Sequence, residues 1–127
     1  MNNITLSDGE WKLMKLLWQR NPMTIGEFVS ELNDETGWTK TTVFVMLKRL
    51  CAKGAVRVDE GGRVHHYYPM IDRCDVAEGE TDSFLSRVYD GSVGMMVSSL
   101  VGRKALSDSE IDELRKILDE AEKSRKG

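Results

Sequence analysis

Apolar residues recur at helical spacing three times in the first half of the chain. Trp11, Met14, Leu17 and Trp18 share one face of a first helix, and Ile25, Phe28, Val29 and Leu32 share one face of a second. Val43, Met46, Leu47 and Leu50, at i, i+3, i+4 and i+7, line a third. The starts of the first two are written in the same local code. Leu6-Ser7-Asp8-Gly9-Glu10-Trp11 and Met23-Thr24-Ile25-Gly26-Glu27-Phe28 each place a capping hydroxyl three residues before a glutamate, between two apolar staple positions. Leu106-Ser107-Asp108-Ser109-Glu110-Ile111 repeats it near the C-terminus. The first helix is expected to run from Ser7 to about Gln19, where Asn21-Pro22 stops it, and the second from Thr24 to about Asn33. The third should begin near Thr39 and close at Lys53-Gly54, where glycine can take the left-handed cap.

After Gly54 the period changes to alternation. Ala55–Glu60 and Arg63–Tyr68 are β-prone runs on either side of Gly61-Gly62, which predicts a hairpin with a two-residue turn at positive φ. Three helices followed by a hairpin make a winged helix-turn-helix, expected over residues 1–72.

Residues 73–127 are again helical in pattern. Phe84, Leu85, Val88 and Tyr89 form one apolar cluster, and Val93, Met96, Val97, Leu100 and Val101 form another after the Asp90-Gly91-Ser92 break. Ile111, Leu114, Leu118 and Ala121 form a third, spaced as a packing seam. So short a segment cannot bury these faces by itself. Either the same segment of a second chain covers them in a two-fold dimer, or they fold back on the N-terminal domain. The dimer is the simpler solution, with Phe84, Val88, Met96, Val97, Leu100, Ile111, Leu114 and Leu118 at its interface. The fold class is mainly α with a small β-hairpin, a winged helix followed by a helical dimerisation domain.

Charge sharpens this division. The 127 residues carry a net charge of −3, which by itself argues against nucleic acid. Residues 1–73 hold 10 Lys and Arg against 9 Asp and Glu, whereas residues 74–127 hold 8 against 12. Between Thr39 and Arg63 there are six basic residues and only two acidic ones. The basic charge is concentrated in and just after the third helix, the local footprint that phosphate contact requires. With no signal-peptide pattern and no apolar run of spanning length, a cytoplasmic protein without a membrane partner is expected. Two cysteines, Cys51 and Cys74, fit a reducing compartment.

The outward face of the third helix carries Thr41, Val45 and Lys48, flanked by Thr42 and Phe44. A merely solvated face would be filled with Glu, Lys and Gln. In a helix-turn-helix the second helix enters the major groove, and its N-terminal part meets base edges. Threonine hydroxyls can bond those edges, and threonine and valine methyls can pack on the thymine methyl. Lys40, Lys48, Arg49 and Lys53 are suited to phosphates, which fix register without reading sequence. Arg63, after the Gly-Gly pair, could reach DNA from a wing tip or remain an ordinary solvated charge. The expected DNA-binding set is Lys40, Thr41, Thr42, Val45, Lys48, Arg49 and Arg63. Two other classes remain open at this point: a protein-interaction module presenting Phe44 and Val45, and a regulator responding to a ligand or metal through its cysteines and histidines. Against a metal centre, His65 and His66 would point to opposite faces of a strand, and Cys-x-x-Cys or His-x₃-His spacing is lacking. No nucleophile is paired with a base and no glycine loop could cradle a phosphate, so neither enzyme nor cofactor is expected.

The chain resembles the penicillinase-repressor family of bacterial winged-helix regulators. The resemblance rests on Leu6-Ser-Asp-Gly-Glu-Trp11 with Leu17-Trp18, Trp38-Thr-Lys-Thr-Thr-Val43 with Leu47-Lys-Arg-Leu50, and Lys53-Gly54. It continues through Tyr67-Tyr68-Pro69, Phe84-Leu85, Val88-Tyr89-Asp90-Gly91-Ser92 and Leu106-Ser107. It implies a homodimer that binds a palindromic operator and represses transcription. In antibiotic-responsive members a membrane sensor triggers cleavage within the dimerisation domain, which implies a sensor-dependent protease as a further partner. The matching point here is Ser99-Leu100, which departs from the Asn-Phe pair of those members. The cysteine-rich C-terminal motif of the copper-responsive branch is lacking. Thr42 keeps the family pattern, whereas Lys40, Thr41, Phe44 and Val45 replace its Pro, Lys, Gln or Arg, and Thr, so operator preference is expected to differ.

Overall fold

The computed structural model describes residues 4–103 and 106–126. Its order is α1 (Asp8–Gln19), α2 (Ile25–Thr36), α3 (Lys40–Ala52), β1 (Val56–Asp59), β2 (His66–Pro69), α4 (Arg73–Tyr89), α5 (Val93–Gly102) and α6 (Asp108–Lys126). Two compact units meet between Thr81 and Asp82, so the first half of α4 belongs with the winged helix.

All three capping boxes form. Ser7 and Thr24 each accept the N–H of the glutamate three residues on at 3.2 Å, and each glutamate accepts the cap N–H at 2.9 Å. Ser107 and Glu110 repeat the exchange with the same two distances at the start of α6. The cap N–H bonds from Thr24 and Ser107 hold the Glu27 and Glu110 carboxyls below their ordinary range.

The first unit is built around Leu13, Met14, Leu17, Phe28, Val43, Leu47 and Leu50, all fully buried. Each such side chain contributes roughly 1.5–3 kcal/mol on removal from water. Trp11 and Trp18, expected inside, are half-buried at the rim, edge to face with ring centroids 5.8 Å apart. Trp18 Nε1 donates to the Ile71 carbonyl at 2.9 Å, so the indole keeps its polar edge at the boundary, and Leu13 fills the interior in its place. The second helix runs past Asn33 to Thr36 and ends where Gly37, at φ +66°, donates to the Asn33 carbonyl. Gly54, at φ +81°, follows the Lys53 cap of α3 as expected.

The hairpin forms with a wider connection than the glycines suggested. Val56 pairs with Pro69, Arg57 with Tyr68, Val58 with Tyr67 and Asp59 with His66, leaving residues 60–65 as the loop. Neither Gly61 nor Gly62 takes a positive φ. Instead the Asp59 carboxylate accepts the Gly61 N–H at 3.0 Å, an Asx turn within the loop. A third segment joins the sheet: Met23 and Tyr67 exchange backbone bonds of 3.1 and 2.8 Å, tying the α1–α2 connection to the wing.

In the second unit α5 starts at Ser92, whose hydroxyl accepts the Met95 N–H at 3.1 Å. Phe84 and Tyr89 meet edge to face at 5.8 Å. Among the described residues of α5 and α6 no side chain is buried. No described helix is long and apolar enough to cross a membrane.

Candidate nucleic-acid interface

The outward side of α3 is assembled by the turn before it. Thr39 caps the helix, its hydroxyl accepting the Thr42 N–H at 3.2 Å and lying 3.2 Å from the Thr42 hydroxyl. Val43, Leu47 and Leu50 are drawn inward, so Lys40, Thr41, Thr42, Val45, Lys48 and Arg49 all stand exposed along the opposite side. The structure thus brings six of the expected residues onto one helix, with Phe44 at 42% and Val45 at 43% exposure among them. Lys48 Nζ lies 5.9 Å from the Phe44 ring centroid. Among the described residues, Lys40, Lys48, Arg49 and Arg63 have no ion-pair partner, which leaves their charge available to an external anion.

Lys53 behaves differently from the phosphate contact expected of it. Its ammonium donates to Glu10 Oε1 at 2.6 Å and to the Thr5 carbonyl at 2.7 Å. Glu10 is 2% exposed. Burial pushes its carboxyl up, but the bonds from Lys53 and from the Ser7 N–H outweigh that and hold it below its ordinary value. Glu10 was legible as a capping-box residue; nothing in the local pattern signals a partner so far along the chain.

Arg63 is exposed in the 60–65 loop, beside Val64 and His65. Together with Ile25, Lys40, Thr41 and Phe44 these line an open groove between α3 and the wing. Ile25 and Val64 escaped the sequence reading because each looks like ordinary core filler. Arg57, on β1, lies with its guanidinium carbon 4.2 Å from the Tyr68 ring centroid, stacked on its cross-strand partner.

Cys51 is half-buried and burial pushes its thiol up, which suits a small packing residue rather than a reactive one. Cys74 is exposed on α4. Among the described residues, no three His, Cys, Asp or Glu side chains gather where a metal could bind.

Of the residues expected to dimerise, Phe84, Val88, Val97, Leu100 and Leu118 are exposed and Met96, Ile111 and Leu114 half-buried. Leu118 is 66% exposed.

Comparison with known proteins agrees with this geometry. The sequence profile described as penicillinase repressor matches residues 6–120. The penicillinase repressor of Bacillus licheniformis is 37% identical over 121 residues, covering 95% of this chain and 94% of its own. The methicillin resistance regulatory protein MecI of Staphylococcus aureus is 28% identical, covering 93% and 98%. Among solved structures, the DNA-binding domain of the repressor BlaI matches with a TM-score of 0.50 at 37% identity, over 56% of this chain and 87% of that one. The monomeric form of Bacillus licheniformis BlaI in complex with the blaP half-operator matches with a TM-score of 0.50 at 36% identity, over 57% and 89%. With a winged helix, an unpaired cationic and methyl-rich helix face, and a family profile spanning nearly its whole length, the chain belongs to the penicillinase repressor family.

Proposed function

We propose that the chain is a DNA-binding transcriptional repressor that acts as a homodimer on a two-fold symmetric operator, with α3 in the major groove. One observation carries this reading. The exposed side of α3 presents threonine hydroxyls, a valine and cations without an ion-pair partner together, on a fold shared with a repressor solved on a half-operator. Thr41, Thr42 and Val45 meet base edges, whereas Lys40, Lys48, Arg49 and, from the wing, Arg63 meet phosphates. No catalytic step or cofactor is assigned to any residue.

The C-terminal segment, expected over residues 73–127 and a separate compact unit from Asp82 onward, serves for dimerisation. The exposure of Phe84, Val88, Val97, Leu100 and Leu118 supports this, because a two-fold partner covers the same patch on both copies. Half-sites should then lie one helical turn, or a multiple of it, apart. The resemblance implies relief of repression by a sensor-dependent protease at the point matching Ser99-Leu100, a pair that departs from the Asn-Phe of the antibiotic-responsive members. That bond lies within α5, so local unfolding of the helix must precede cleavage. As a DNA-binding repressor, the protein works in the cytoplasm.

Selection from a random duplex library with the purified protein tests the reading. The expected result is a two-fold symmetric consensus whose affinity falls steeply with salt. Enrichment of no sequence, with salt-insensitive capture of a protein partner, would replace it by the interaction-module reading that Phe44 and Val45 suggest.

A further inference from the structure

Phe44 stands on the flank of α3 that faces the wing, in the groove it shares with Ile25 and Val64. Lys40, Thr41 and Arg63 line the same groove, and the Lys48 ammonium lies near the ring. A phenyl ring has neither donor nor acceptor, so it cannot read the hydrogen-bonding pattern of a base. Left in water beside three apolar or methyl-bearing neighbours, it forgoes burial that a suitable partner would supply. The surrounding cations favour a partner that is anionic around an apolar point. In the major groove one base-edge feature answers to that description: the thymine C5-methyl, bordered by phosphates on both strands.

We propose that Phe44 is a specificity-determining residue that selects thymine at one position of each half-site, by seating the C5-methyl in the groove between α3 and the wing. This rests on the DNA-binding reading above. Phe44 supplies the apolar contact, Ile25 and Val64 line the groove beside it, and Lys40 and Arg63 hold the flanking phosphates. A second methyl contact at Val45, on the outer face of α3, reads a different base pair.

The test replaces each thymine of the selected consensus with uracil, one at a time. That change removes a single methyl and leaves the hydrogen-bonding edge intact. The wild-type protein is expected to lose roughly fourfold in affinity at one thymine per half-site, the equivalent of one carbon's burial. Phe44→Gln should show no uracil penalty there while keeping the penalties at other thymines, and Phe44→Leu should retain part of it. Both variants change an exposed side chain, and unaltered thermal unfolding checks that the fold is kept. Equal uracil penalties in wild type and Phe44→Gln at every position overturn the assignment while leaving DNA binding standing. A library from which no duplex is enriched overturns the DNA-binding reading itself, and the thymine assignment with it.

Discussion

Lys53 Nζ and Glu10 Oε1 lie 2.6 Å apart, joining the end of α3 to the first turn of α1. The same carboxylate oxygen accepts the Ser7 N–H at 2.9 Å, so one atom both caps α1 and anchors the end of α3. The end of α3 cannot rotate away from the core without breaking this contact. Lys53 therefore holds the C-terminal end of α3 against the start of α1.

Lys53→Met keeps the length of the side chain but leaves the Glu10 carboxylate buried without its cation. Unfolding free energy at pH 7 should fall by about 2 kcal/mol, the scale of a hydrogen bond to a charged group. Urea titration measures it. The pH dependence follows from the lowered Glu10 carboxyl. The native state releases this proton more readily than the unfolded chain, so the stabilisation is complete above the ordinary value of 4.5. It is lost as pH falls through the folded value. The gap between wild type and Lys53→Met should therefore narrow as the solution is acidified below that point. A gap that widens in acid would remove the ion pair as its cause.

Lys48 is exposed on α3 and has no ion-pair partner among the described residues. Lys48→Ala is expected to weaken selected and random duplexes alike and to reduce the salt slope by about one. Fluorescence anisotropy at several salt concentrations reads both effects. A loss confined to the selected sequence would make Lys48 a base reader.

Val45 and Thr42 should behave in the opposite way. Val45→Ala removes methyls from the centre of the outward face, and Thr42→Ala removes a hydroxyl already oriented by Thr39. Each is expected to flatten preference at one position of the half-site by roughly 1 kcal/mol, with little change on random DNA. Repeating the library selection with each variant locates that position. Uniform losses on both kinds of duplex would move these residues to the phosphate class.

The features legible in the sequence are those that local sequence encodes. Caps at Ser7, Thr24 and Ser107 and the inward set Val43, Leu47 and Leu50 depend on neighbours three or four residues away, and they formed as expected. The same period exposed Thr41, Thr42, Val45 and Lys48, so most of the candidate interface was legible with it. Contacts between distant segments were not. The Lys53–Glu10 pair, the Met23–Tyr67 bridge and the groove joining Ile25 to Val64 each arise only when elements pack. Gly61-Gly62 misled for a related reason: strand pairing stops at Asp59 and His66, and the Asp59 side chain folds back onto the Gly61 N–H inside a six-residue loop, 60–65.

Leu118 offers the sharpest test of the dimer. It is the most exposed of the large apolar residues on α6, so replacing it in a monomer should change stability by no more than about 0.5 kcal/mol. In a two-fold dimer Leu118→Lys acts twice, removing one buried leucine from each copy at roughly 1.5–3 kcal/mol apiece. Self-association should weaken by at least about a hundredfold, measured by sedimentation equilibrium. Binding to a single half-site should be unchanged, because residues 39–63 are untouched, whereas affinity for the full operator should fall towards that of the half-site. Unchanged self-association would exclude Leu118 from the interface and shift the dimer contact towards Phe84, Val97 and Leu100. Loss of half-site binding together with self-association would instead mean that the substitution disturbs the winged helix, a result the exposure of Leu118 argues against.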